Sequence, residues 1–336
     1  MTRPYALLRA GFPYLKTLGM RRVTSNPVDL ALGREGRLYV LCRGMQTEIR
    51  RYTFDDEDLG VIGGAGTDEG KFVWPASIIA DSAENLYVSD EASHRISAFT
   101  REGEFLESWG EHGSGPGELD RPSGLAFATD GNIYVADTMN HRVQKFTSDG
   151  RFLVAWGEYG TDDGQFDMPW GLAVDELGDI YVADWRNDRV QKFGPDGGFV
   201  MAFGTSGSDE GQFNRPTSVT VDRDGDIYVA DWGNDRVQLF NQHGRYVDGF
   251  IGDATLSPSG RQYVLANAVT LRLRDMARME PQKRFRGPMA VKVDDERRMY
   301  VADYGSHRIQ VYQKDCKVLG ENDIAPVLKA PTLFTT

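Results

Sequence analysis

The stretch Asn132-Ile133-Tyr134-Val135-Ala136-Asp137 returns as Asp179-Ile180-Tyr181-Val182-Ala183-Asp184 and again as Asp226-Ile227-Tyr228-Val229-Ala230-Asp231. Weaker copies are Leu38-Tyr39-Val40, Leu86-Tyr87-Val88-Ser89-Asp90 and Met299-Tyr300-Val301-Ala302-Asp303. The six tyrosines are spaced by 48, 47, 47, 47 and 72 residues. A fixed period of this size marks a repeat architecture. The last interval exceeds the period by about 25 residues, on the reading that one repeat carries an insert.

Around the copy at 132–137 the unit reads as four short strands. Arg121-Pro122-Ser123-Gly124-Leu125-Ala126-Phe127 is an apolar run after a proline. The Asp130-Gly131 turn leads into the second run, and Arg142-Val143-Gln144-Lys145-Phe146 alternates polar and apolar residues as a half-buried strand does. Asp149-Gly150 is a further hairpin signal before Phe152–Trp156. Four strands repeated six times predict an all-β, six-bladed β-propeller, whose closed ring leaves only short sheet edges. The expected blades are 26–66, 74–112, 121–160, 168–207, 215–252 and 287–320, forming one domain. The insert falls at 253–282. Ser257-Pro258 and the helix formers of 266–279 favour a helical insert acting as a lid. The competing reading is a degenerate blade, because Gly260–Leu265 echoes Gly36–Leu41 and 269–274 alternates with period two. Residues 14–19 resemble a fourth strand and are expected to close the ring; 316–320 is the alternative.

The units resemble NHL repeats, on Asp137-x-x-Asn140-His141-Arg142-Val143-Gln144 and Gly164-Gln165-Phe166-x-x-Pro169-x-Gly171-Leu172-Ala173. The resemblance runs over roughly residues 14–320 and implies architecture more than function, since such propellers serve as lyases, sensors and binding platforms.

Composition narrows the function classes. The 336 residues carry 50 carboxylates against 38 Lys and Arg, a net charge of −12, which argues against broad phosphate-backbone binding, so no nucleic-acid partner is expected. Two cysteines, Cys42 and Cys316, make neither a disulfide framework nor a zinc knuckle. No apolar run approaches the roughly 18–20 residues of a membrane span, and residues 1–20 lack the pattern of a secretion signal. The expectation is a cytoplasmic, stand-alone propeller with no membrane partner.

Comparison between copies within the chain separates scaffold from site. The Asp/Arg pairs such as Asp137 with Arg142 recur and read as structural. His94, His141 and His307 share a position with Asp188 and Asp235, which reads as a turn position; His112 and His243 read as solvated turn residues. Gly113-Ser114-Gly115-Pro116-Gly117 lacks the Lys and the helix of a phosphate loop. Gly-x-Ser-x-Gly, His-Glu-x-x-His and Cys-x-x-Cys are absent from the sequence.

Two sets of residues depart from the repeat. The residues after the blade prolines are Val28, Ala76, Ser123, Trp170, Thr217 and Met289, followed by Asp29, Ser77, Gly124, Gly171, Ser218 and Ala290. Asp29 is the one charge among them, a candidate base or calcium-type cation ligand in the channel. The residues after the Tyr-Val-x-Asp motif are Arg43, Glu91, Thr138, Trp185, Trp232 and Tyr304. Arg43, Glu91, Trp185, Arg186, Trp232 and Tyr304, with Trp170, are the candidate walls of a small-ligand pocket.

The chain also has a more distant resemblance to the peptidyl-hydroxyglycine amidating lyase propeller. That family's Arg-Gly pair corresponds to Arg43-Gly44, which implies a substrate-binding arginine. Its zinc histidines would fall at Ala76, Trp170 and Met289, and its tyrosine at Met139, so zinc is not expected. The resulting expectation is a small-molecule enzyme of lyase or hydrolase type. Arg43 holds an anionic group there, and Asp29 acts as base or cation ligand. The alternative is a non-enzymatic platform for a peptide or protein.

Overall fold

The computed structural model describes residues 6–19, 24–266 and 280–319. Six four-stranded antiparallel sheets are present, each built as inner, second, third and outer strand. The inner strands start at Pro27, Pro75, Pro122, Pro169, Pro216 and Pro288 and neighbour one another in chain order. The inner strand of the sixth blade returns to that of the first, so the ring is closed. Proline suits these starts because the first inner-strand residue need not donate to the ladder.

Each second strand is buried on both faces, as its Ile-Tyr-Val-Ala composition demands. The cores lie between blades. One cluster joins Tyr134, Ala136 and Val143 of blade 3 to Phe166, Leu172, Ile180 and Val182 at blade 4. Phe166 comes from the Gly-x-Phe loop that leads to the next inner strand, and its fully buried ring wedges the two sheets together.

The last blade takes its outer strand from the N-terminal part of the chain. Tyr14–Leu18 pairs antiparallel with Arg308–Gln313. Asp315–Leu319, the other candidate, pairs with Ala6–Gly11 in a separate two-stranded sheet.

That small sheet is fastened to blade 5 by charge. In blades 3 and 4 the third-strand Lys145 and Lys192 reach acids of the hairpin between the first two strands, Asp130 and Asp179. Blade 5 has Leu239 at this position, opposite Tyr228. Its hairpin acids instead surround Lys314, whose fully buried Nζ lies 2.6 Å from Asp222, 3.0 Å from Asp224 and 2.9 Å from Asp226. Arg9 adds a pair to Asp226, and Arg297 one to Asp224 at 2.8 Å.

Pro258–Leu265 and Glu280–Lys283 are helical, and residues 267–279 of the insert lie outside the described residues. The base of the insert is closed by Ala254 N donating to Lys283 O and Phe285 N to Ile251 O. Asp253 N donates to Gln310 Oε1 and to Tyr312 Oη, both in blade 6. No helix among the described residues is long and apolar enough to cross a membrane.

Candidate functional site

The recurring polar residues hold the blades. Asp137 Oδ2 accepts from Asn140, Arg142 Nε and Gln144, while Oδ1 accepts the Asp120 amide at 2.6 Å. Asp184 and Asp231 repeat the arrangement. The His-or-Asp position has a common task as well. His94 Nδ1 accepts the Arg121 amide, His141 Nδ1 that of Met168, and His307 Nδ1 that of Asn26. Asp188 and Asp235 accept from Arg215 and Gly287. Donor and acceptor both sit at positive φ, for example His141 at 54° and Met168 at 58°. Any acceptor that tolerates the left-handed region serves there, which explains the exchange of His for Asp. These contacts staple one blade to the next.

The channel is narrow. An added Cβ on Gly124 would lie 2.2 Å from Trp170 O, and one on Gly171 2.6 Å from Thr217 O. Glycine therefore lets these inner strands crowd the axis. The cavity they leave, lined by Val28, Asp29, Trp170, Thr217, Met289 and Lys292 among others, is about 20 Å³, room for about one water. Asp29 is buried within it. Its Oδ2 accepts from Ser77 Oγ at 2.7 Å and Ile78 N at 2.9 Å. Its Oδ1 accepts from Leu30 N, with Lys292 Nζ 3.3 Å away. Asp29 thus ties blade 1 to blades 2 and 6. A cation beside it would face the Lys292 ammonium.

The rim residues fall into two groups. At the junction of blades 1 and 2, Arg43 Nη1 donates to Glu91 Oε1 at 3.0 Å, and the Arg43 guanidinium lies 4.5 Å from the Trp74 ring centre. Both members of the pair are buried. Burial pushes the Glu91 carboxyl up to about 7, with Arg43 opposing it. Arg43 Nε and Gln46 Oε1 are buried without hydrogen-bond partners. The usual staple is missing at this junction: the amide of Trp74, the residue before the blade proline, donates to Asp90 of its own blade and not to a His or Asp of blade 1.

The second group spans blades 4 to 6. Trp170 and Trp185 rings lie 6.0 Å apart, and Arg215 lies 4.9 Å from the Trp185 ring centre. Arg215 then lines an open cavity of about 560 Å³ with Asn214, Trp232, Asp235, Arg286 and Tyr304. Arg186 is exposed beside Trp185. Trp232 and Tyr304 therefore share a cavity that Arg43 and Glu91 do not line.

Three stretches, 119–146, 166–193 and 213–240, match the NHL repeat. The chain carries NHL repeats on a six-bladed propeller. The matched stretches run from Leu119, Phe166 and Phe213, in the loops before the blade prolines, to the third strand of blades 3, 4 and 5; the other blades keep the same strand pairing without a match. No significant match is found among curated protein sequences. Among solved structures, the NHL-repeat propeller is similar to virginiamycin B lyase from Staphylococcus aureus, at 12% identity and a TM-score of 0.55 over 94% of this chain and 87% of that one. A streptogramin B lyase is similar at 10% identity and TM-score 0.58, over 90% and 98% of the two chains. A Bacteroides thetaiotaomicron protein of unknown function is similar at 17% and 0.60, over 91% and 72%. At these identities the likeness shows the fold alone.

Sequence reasoning missed Trp74, Arg215 and Arg286 in this NHL-repeat propeller. Trp74 and Arg215 directly precede blade prolines and Arg286 stands two before one. Tabulating the residue before each proline, as well as those after it, would have exposed the first two.

Proposed function

We propose that this propeller is a binding platform that takes an acidic peptide segment of a partner protein on its rim at blades 4 to 6. One observation carries the reading. Arg215 stacks on Trp185 and at the same time lines the open cavity shared with Trp232, Arg286 and Tyr304. Arginine held against an aromatic face presents its donors to a carboxylate while its flat side stays covered. Arg215 and Arg286 line the cavity against the single acid Asp235, and Arg186 is exposed next to Trp185 in sequence, on a chain whose net charge is −12. Aromatic residues and arginine are also the side chains that anchor interfaces. The openness of the cavity suits a segment of chain better than an enclosed metabolite.

The full chain, immobilised and screened against random 12-residue peptides, is expected to select sequences rich in Asp and Glu with an aromatic or apolar anchor. Trp232→Ala and Arg215→Ala are expected to lose the selected peptides. Selection of basic peptides, or undiminished binding by both variants, contradicts the reading.

A second reading rests on Glu91. A buried carboxyl at about 7 beside an arginine suits acid–base work, in keeping with an enzyme of lyase or hydrolase type in which Arg43 holds an anionic substrate. Asp29 is not carried into it as base or calcium ligand, since its oxygens already serve the scaffold. Loss of turnover on a found substrate in Arg43→Ala, with the fold retained, supports this reading; unchanged turnover removes it.

A further inference from the structure

At the junction of blades 2 and 3, three side chains from separate segments meet. His94 follows the second strand of blade 2, His112 lies in the loop after its outer strand, and Asp120 precedes the proline of blade 3. Asp120 Oδ1 is 3.4 Å from His94 Nδ1 and 3.7 Å from His112 Nε2. One ligand atom from each of the three lies within 4.8 Å of the others. The two imidazole rings are 4.3 Å apart.

We infer that His94, His112 and Asp120 form a surface site for zinc or a similar borderline divalent ion. A tetrahedral ion with bonds of about 2.0–2.1 Å sets its ligand atoms about 3.3–3.4 Å apart, so the two distances to Asp120 need only small side-chain shifts, and the two imidazole nitrogens close on the ion from within 4.8 Å. Two imidazoles and one carboxylate select zinc, cobalt or nickel over calcium or magnesium, which prefer oxygen sets. The His112 side chain is 65% exposed, so water has access to a fourth position. The site is on the rim, apart from the channel positions whose lack of histidine led the sequence reading to expect no zinc. That reading took His112 as a solvated turn residue and did not place it beside His94.

The repeat supplies the control. The loop bridges His112–Leu119, Tyr159–Phe166 and Ser206–Phe213 make His112, Tyr159 and Ser206 equivalent. At the next junction His141 lies 3.6 Å from Asp167, with Tyr159 packed 4.9 Å from the His141 ring. That junction holds together with one histidine. The scaffold does not require the second imidazole at 112.

The site has a mechanical consequence. His94 Nδ1 already accepts the Arg121 amide at 3.1 Å. An ion bound at Nδ1 takes that lone pair, and the amide of the exposed Arg121 turns to water. Metal uptake and the staple between blades 2 and 3 are therefore in competition.

The test uses tag-free full-length protein, stripped of metal and titrated with cobalt(II) and with zinc. Expected are one saturable equivalent, a visible cobalt spectrum with imidazole ligation that zinc displaces, and faster hydrogen exchange at the Arg121 amide when zinc is bound. His112→Tyr, which installs the residue of the next blade, should retain the folded circular dichroism spectrum and lose the equivalent. His243→Ala should keep it. No saturable uptake by the wild-type protein, or undiminished uptake by His112→Tyr, overturns the assignment.

Discussion

Arg43 Nη1 lies 3.0 Å from Glu91 Oε1 at the junction of blades 1 and 2, where the amide before the blade proline bonds to Asp90 within its own blade. The pair is buried, and burial raises Glu91 from the ordinary 4.5 to about 7 despite the guanidinium. Between those values the folded protein binds the proton more tightly than the unfolded chain does. Stability therefore falls as pH rises from about 4.5 to 7 and stays lower above it. Glu91→Gln, which mimics the protonated acid, should flatten this slope. The variant should gain about 1–3 kcal/mol over wild type at pH 8, on the scale of 1.4 kcal/mol per pKa unit, and almost nothing at pH 5. Urea unfolding at the two pH values checks this; an equal difference at both contradicts it.

Lys314 bridges three hairpin carboxylates of blade 5 from inside the structure, and Arg9 and Arg297 supply the other two positive charges. Lys314→Met leaves Asp222 buried without its cation, while Arg9 and Arg297 stay on Asp226 and Asp224, and is expected to cost about 3–5 kcal/mol. Chemical denaturation measures it. A cost below about 1 kcal/mol, the scale of an exposed pair, would show that water reaches the cluster.

Gly124 and Gly171 set the width of the channel. Gly124→Ala places a methyl group against the Trp170 carbonyl and should lower stability by about 1–3 kcal/mol or more. Wild-type stability in this variant means that the inner strands can separate, and then a channel of one-water size is not fixed by the backbone.

The staples make an exchange experiment possible. His141→Asp keeps an acceptor for the Met168 amide and is expected to stay near wild-type stability. His141→Ala orphans that amide and should lose about 1 kcal/mol. Equal losses in both variants would assign the histidine to packing against Tyr159 instead.

The architecture was legible because every second strand repeats one apolar word, and its period alone counts the blades. The NHL motif residues were legible as scaffold because they recur. The candidate site was legible only in part. Trp185, Trp232 and Tyr304 stood out as departures from the repeat, and the structure gives Trp232 and Tyr304 a common cavity while Trp185 joins it through Arg215. Arg43 and Glu91 also stood out, but a ring places blades 1 and 2 away from blade 5, and the linear list of rim residues contains no angle. Asp29 was conspicuous by its charge, yet the bonds that engage it come from Ser77, Ile78 and Lys292 on other blades, which a single-copy reading cannot see. His112 and Asp120 meet His94 through loop geometry for which the sequence has no spacing rule.

The central claim is that the rim at blades 4 to 6 is the binding surface, and the six tryptophans report on it directly. Indole N–H resonances are followed by NMR while the unlabelled acidic peptide selected in the screen is titrated into labelled protein. The expected result is movement of the Trp185 and Trp232 signals with peptide concentration. Trp109 and Trp156, whose Nε1 atoms are buried, should stay fixed. Shifts confined to Trp74, beside Arg43, or no saturable shift at all, would contradict the assignment of this surface.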